Sequence, residues 1–184
     1  MKKTISFLTA LVLVVGLTCC GTSTKDAIIG EVDEFFTEAE NELRDIDNPD
    51  DLMSFINGFK EDKQEFSQAL DVKYQKDEHG AFKGMNAAET EDLYKLVYDR
   101  ATVYNQLEYA KCGEIMEPYV ARVEAAVDKL KEYYDSGKDF TDEMIDEYVN
   151  AAEELEKYGD VVPEELANRY YKADETIGII FNLK

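Results

Sequence analysis

The chain has a single histidine, no tryptophan and only three cysteines among 184 residues. The lone His79 excludes an H-E-x-x-H helix, and with no second imidazole it cannot anchor a histidine-based zinc site. Its setting, "KDEHGAFKGM" with Gly80 and Gly84, is that of an exposed loop side chain. Cys19 and Cys20 are adjacent and so lack the C-x-x-C spacing of redox and zinc pairs. Cys112 stands beside Gly113, and its neighbours Lys111 and Glu114 make poor partners for a nucleophile, so it reads as a structural thiol. Basic residues are also scarce, 20 Lys and Arg against 41 Asp and Glu, giving a formal charge of −21 that repels nucleic acid and anionic lipid headgroups. There is no glycine-rich phosphate loop, and the chemistry-bearing residues imply no cofactor or metal.

What is present at the N-terminus is a targeting pattern. Lys2 and Lys3 form a basic head, and Ile5 to Leu17 form an apolar core, shorter than the roughly 20 residues of a bilayer span. "GLTCCG" follows. Leu17, Thr18, Cys19 and Cys20 resemble the lipobox of bacterial lipoprotein precursors, in which an aliphatic residue stands three places before the modified cysteine. The resemblance implies that Leu17 holds the aliphatic position, that Cys19 leaves with the signal peptide, and that Cys20 becomes an acylated first residue. A cysteine in place of Gly, Ala or Ser before the modified residue departs from the usual pattern; lipidation at Cys19 instead would put Gly16 in the aliphatic position. Several acyl chains, at about 0.8 kcal/mol per buried methylene, hold a protein to a bilayer essentially permanently. The implied organisation is a lipoprotein signal peptide at 1–19, a small, polar tether at 20–26, and a single acidic domain at 27–184, anchored in the bacterial cell envelope at the outer membrane. Some Bacteroidota lipoproteins carry an acidic cluster after the cysteine as a surface-export signal; here only Asp26 is near, leaving the periplasmic and surface faces both open.

The remaining chain is patterned for helices. In "DAIIGEVDEFFTEAENELRDI" the apolar residues Ile28, Val32, Phe35, Phe36, Ala39, Leu43 and Ile46 recur by threes and fours. "NPDDL" ends that helix and begins the next, with Asn48 as cap, Pro49 at the first helical position, and Asp50 and Asp51 at the positive end of the helix dipole. A second stripe runs through Leu52, Phe55, Ile56, Phe59, Phe66, Ala69, Leu70 and Tyr74, with Lys63 standing where an apolar group is expected. After the loop at 76–85 the pattern resumes through Leu93, Leu96, Val97, Ala101, Tyr104 and Leu107, then Ile115, Tyr119, Val123, Val127 and Leu130. As one helix, residues 89–134 would be about 69 Å long at 1.5 Å per residue. A break at Cys112 and Gly113, with Pro118 opening the second piece, is therefore expected; one long kinked helix is the rival. Thr141 is expected to cap a further helix ending at Gly159, with Phe140 stapled to Met144 or Ile145. Pro163 opens the last, whose end, "IGIIF", suits either a helix or an extended tail.

These patterns predict an all-α, antiparallel bundle of five or six helices. "DEFFTEAENEL" and "DEYVNAAEEL", followed by "PDDL" and "PEEL", predict similar local geometry, helix, proline-initiated turn, helix, which a duplicated hairpin or chance likeness of acidic amphipathic helices would both produce. Acidic stretches at 45–51 and 135–143 lack the glycine and terminal glutamate of an EF-hand loop, and helix capping accounts for them. Aromatic residues are 12 Tyr and 9 Phe, and many of the tyrosines fall on the stripes. The doublets Tyr133-Tyr134 and Tyr170-Tyr171 leave one member at an edge, where an acidic, aromatic surface suits a basic protein or a glycan. The functional expectation is a membrane-anchored envelope lipoprotein that binds or scaffolds a protein or glycan partner. The alternative is a carboxylate-based enzyme or glycan-processing accessory protein.

Overall fold

The computed structural model describes residues 23–182, so the lipobox and Cys20 lie outside the described residues. The fold is all-α. Its five helices are α1 (Thr24–Asp45), α2 (Pro49–Lys73), α3 (Ala87–Asp135), α4 (Asp142–Glu156) and α5 (Glu164–Asn182), with a 3₁₀ turn at Gly159–Val161 before the last. They pack as a helical bundle divided into two compact units. One comprises residues 23–39 and 57–103, the other residues 40–56 and 104–182.

Side chains of the residues before α1 to α4 set their starts. Ser23 Oγ accepts from the Asp26 amide at 3.1 Å and donates to its carboxylate at 2.8 Å, so α1 begins at Thr24, inside the stretch 20–26 expected as tether. Asn48 Oδ1 accepts from the Asp51 amide at 2.9 Å, with Pro49 opening α2 as the sequence suggests. At α3 a reciprocal capping box forms: the Glu89 amide donates to Asn86 Oδ1 at 3.0 Å, and the Asn86 amide donates to Glu89 Oε2 at 2.9 Å. Thr141 Oγ1 accepts from the Met144 amide at 3.4 Å to cap α4.

The expected break at Cys112 and Gly113 does not occur: α3 is one helix of 49 residues with Pro118 inside it. An interior glycine costs about 1 kcal/mol and an interior proline about 3. Against this, Cys112, Ile115, Met116, Val120 and Val123 are all buried along one face across the glycine and proline. Each large aliphatic side chain so buried contributes about 1.5–3 kcal/mol, enough to outweigh the local penalties. Pro118 faces solvent, where water can satisfy the carbonyl it leaves without a donor. The same logic resolves the C-terminus: Ile177 and Ile180, three residues apart, are buried, so the "IGIIF" segment is helical through Asn182.

In the first unit the core is aromatic. The Phe35 ring stacks on Phe66 with centroids 4.3 Å apart and on Phe59 at 5.3 Å, and Phe36 meets Phe35 edge-on at 5.5 Å. Lys63 keeps its stripe position by laying its ammonium 5.0 Å from the Phe59 ring centroid. The loop from Tyr74 to Asn86 is tied down by buried Phe82 and by Tyr94, whose hydroxyl donates to the Gly80 carbonyl at 2.8 Å. Gly80 turns there with φ +85°, a conformation open to glycine.

The second unit is aliphatic. Leu43, Leu52, Met116, Val120, Val123 and Leu130 are fully inside it, joined by Met144 and Leu155 of α4 and by Leu166 and Ile177 of α5. Ion pairs stitch its outer faces: Arg122 to Glu154 and Lys129 to Glu147, both at 2.6 Å, link α3 to α4. Arg169 links α5 to α3 through a two-pronged contact with Glu124, at 3.0 and 2.6 Å, and a third bond to Glu117 at 2.8 Å.

Candidate binding surface

The side chains singled out from the sequence are not brought together. His79 is 83% exposed on its loop, its Nε2 3.7 Å from Glu78. Cys112 is 6% exposed, and burial, followed by the nearby charge of Glu108, pushes its thiol up to about 11. It is therefore a neutral thiol at ordinary pH and a poor nucleophile. In the acidic stretch at 45–51, Asn48 and Asp51 are engaged in capping, and Asp50 accepts from the Tyr158 hydroxyl at 3.1 Å. In the other, Asp142 and Glu143 occupy the first turn of α4. Among the described residues no group of three or more His, Cys, Asp or Glu is placed to hold a metal ion. Nor is any described helix long and apolar enough to cross a membrane.

The tyrosines have a structural use that the sequence did not disclose. In a chain with twice as many acids as bases, phenol hydroxyls serve as additional donors to carboxylates. Tyr74 donates to Glu31, Tyr148 to Asp174 at 2.6 Å, Tyr170 to Glu156 at 2.8 Å and Tyr158 to Asp50 at 3.1 Å. Partial burial, and then the hydrogen bond to the carboxylate, holds each of these phenols above its usual range. Of the doublet at 170–171, Tyr170 is half-buried in this way and Tyr171 is exposed. Tyr104 is enclosed entirely, and its phenol is likewise pushed up by burial and by Glu108.

A shallow groove lies in the first unit, between α1 and α3. It has a volume of about 280 Å³ and an apolar surface formed by Ile29, Val32, Leu96, Val97 and Val103. Val32 is buried and forms part of the floor, whereas Leu96 and Val103 are 45% and 56% exposed. Asp33, Asp99 and Arg100 supply the polar part of the lining. Arg100 is held in place: its guanidinium lies 5.4 Å from the Phe36 ring centroid, its Nε is 3.5 Å from Asp33, and it donates to Thr37 Oγ1 at 3.4 Å. Asp99 forms no ion pair among the described residues. The groove therefore offers apolar contact and an unneutralised carboxylate side by side.

The chain matches no protein-family model, and comparison with characterised proteins and with solved structures likewise returns no match.

Leu96 and Val97 belong to the apolar helical pattern of α3, and that pattern by itself does not disclose the groove. Helical periodicity identifies an apolar face but does not say whether another element covers it. The available signal was the width of the stripe on α3, where Leu96, Val97 and Val103 accompany the buried Leu93.

Proposed function

We propose that the protein is a bacterial envelope lipoprotein, anchored through acylated Cys20, whose acidic helical domain binds or scaffolds a protein or glycan partner. The observation that carries the binding function is the open apolar groove between α1 and α3, with Leu96 and Val103 exposed at its edge and Asp99 beside them. Exposed apolar surface rimmed by polar groups is characteristic of interaction sites. Anchoring rests on the basic head, the apolar core and the lipobox-like Leu17 to Cys20. The chain's net negative charge keeps the domain away from the anionic surface that its lipid holds.

The carboxylate-enzyme reading has less support. Asp62 is a carboxyl pushed above its usual range, by burial first and then by Glu65 and Glu61, but it does not line the groove.

Two experiments test the proposal. Metabolic labelling with a lipid probe marks the wild type and C19A and is lost in C20A; label that persists in C20A refutes the anchor assignment. Crosslinking and affinity capture from the native envelope, repeated with C20A, recovers a defined partner set. Recovery of none in either form refutes the binding role.

A further inference from the structure

Building on that reading, we propose that the α1/α3 groove is the docking site for an amphipathic helix of a partner protein, one whose apolar stripe is flanked by lysine or arginine. The spacing of the lining residues favours a helix. The groove lies between two helices and is partly open to solvent, with a volume of about 280 Å³, at the lower edge of the roughly 300–1,000 Å³ of small-molecule pockets. On α3 the lining residues Leu96, Arg100 and Val103 stand at i, i+4 and i+7, and on α1 Ile29, Val32 and Asp33 stand at i, i+3 and i+4. A groove between two such ridges accepts a third helix whose side chains repeat at the same spacing.

Charge selects the partner. The lining holds two carboxylates against one guanidinium, and that guanidinium is already engaged by Asp33, Thr37 and Phe36. Asp99 is left to attract a cation, within a chain of formal charge −21. An anionic ligand, an anionic membrane surface and a second copy of this chain are all repelled. A glycan lacks the aromatic stacking platform it would use, since among the described residues no aromatic side chain lines the groove. A helix with apolar anchors and basic flanks satisfies both the exposed Leu96 and Val103 and the carboxylates beside them.

The test uses the full chain carrying C20A and a fluorescently labelled designed peptide, with leucine at i, i+3, i+4 and i+7 and lysine elsewhere on its flanks. The expected result is saturable one-to-one binding by anisotropy, with amide NMR shifts confined to residues near 29–33 and 96–103. A scrambled peptide of identical composition, which keeps the charge but loses the stripe, binds at least about tenfold more weakly, as does a leucine–glutamate peptide. Leu96→Gln with Val103→Gln produces a loss of about tenfold while the far-ultraviolet circular dichroism is unchanged. Should that pair unfold the protein, Asp99→Lys serves instead and shifts preference toward the glutamate peptide. Equal binding of the scrambled peptide, full affinity in the groove variants, no shift in peptide preference with Asp99→Lys or NMR shifts elsewhere overturns the assignment. Envelope partners captured equally by wild type and the groove variants would sink the groove proposal alone; capture of none would sink the binding role with it.

Discussion

Continuity of α3 through Gly113 and Pro118 makes an unusual demand on mutagenesis: both residues should be replaceable by alanine with a gain in stability. Gly113 lies within the helix, and a Cβ built on it meets nothing within 4 Å. Gly113→Ala should therefore recover the helix-propensity difference of about 0.5–1 kcal/mol. Pro118→Ala restores the amide donor to the Glu114 carbonyl and removes the ring clash, a gain of up to about 3 kcal/mol. In a domain of this size about 1 kcal/mol moves the Tm by roughly 2–4 °C, so the first substitution raises it by about 1–4 °C and the second by up to about 12 °C. Thermal and urea denaturation followed by circular dichroism measure both. Gly137 supplies an opposite control: it has φ +69°, and alanine there should cost about 1–2 kcal/mol. If a turn separated two helices at Cys112 and Gly113, alanine at 113 would relieve nothing, and alanine at 118 would replace a residue suited to a helix start. No change or a loss of stability in both variants would refute the continuous helix.

The link between Arg169 and Glu124 should give a double-mutant coupling of about 1 kcal/mol for R169M with E124Q at low salt, because its geometry is bidentate but its ends are partly exposed. The hydrogen bonds and charge of Arg169 hold the Glu124 carboxyl below its usual range. This contribution is therefore complete above the ordinary glutamate value of about 4.3 and lost as pH falls through the lower folded value. A coupling that survives full protonation, or that high salt does not weaken, would contradict that origin. In alkali the sign is set by tyrosine: the phenols of Tyr74, Tyr148, Tyr158 and Tyr170 are raised in the folded state. Their stabilisation is present below the ordinary value of about 10 and declines as pH rises beyond it. Tyrosinate absorbance in the native protein should trail that of the urea-unfolded chain, with Tyr148→Phe reducing the lag. Coincident titration curves would show that the phenol–carboxylate bonds carry no weight.

Local physics was legible residue by residue. The apolar stripe from Ile28 to Ile46 is buried along its length, Asn48 and Thr141 cap the helices they precede, and Pro49 opens α2. Each of these depends on side chains within a few positions of one another. Local preference fails where packing at a distance overrules it. Gly113 and Pro118 favour a break, but burial of Cys112, Met116 and Val120 against residues distant in sequence carries the helix through.

Periodicity, capping and charge are properties of neighbouring residues, and they set the class of the fold, the positions of most helix boundaries and the acidity of the chain. Which apolar stripe stays uncovered, which carboxylates receive tyrosine hydroxyls, and how deeply Cys112 is buried follow from the packing of helices against one another. Leu96 and Leu93 are alike in sequence terms, yet one lies at the edge of an open groove and the other in the core. That difference depends on how far the facing helix covers each position, which no local pattern encodes.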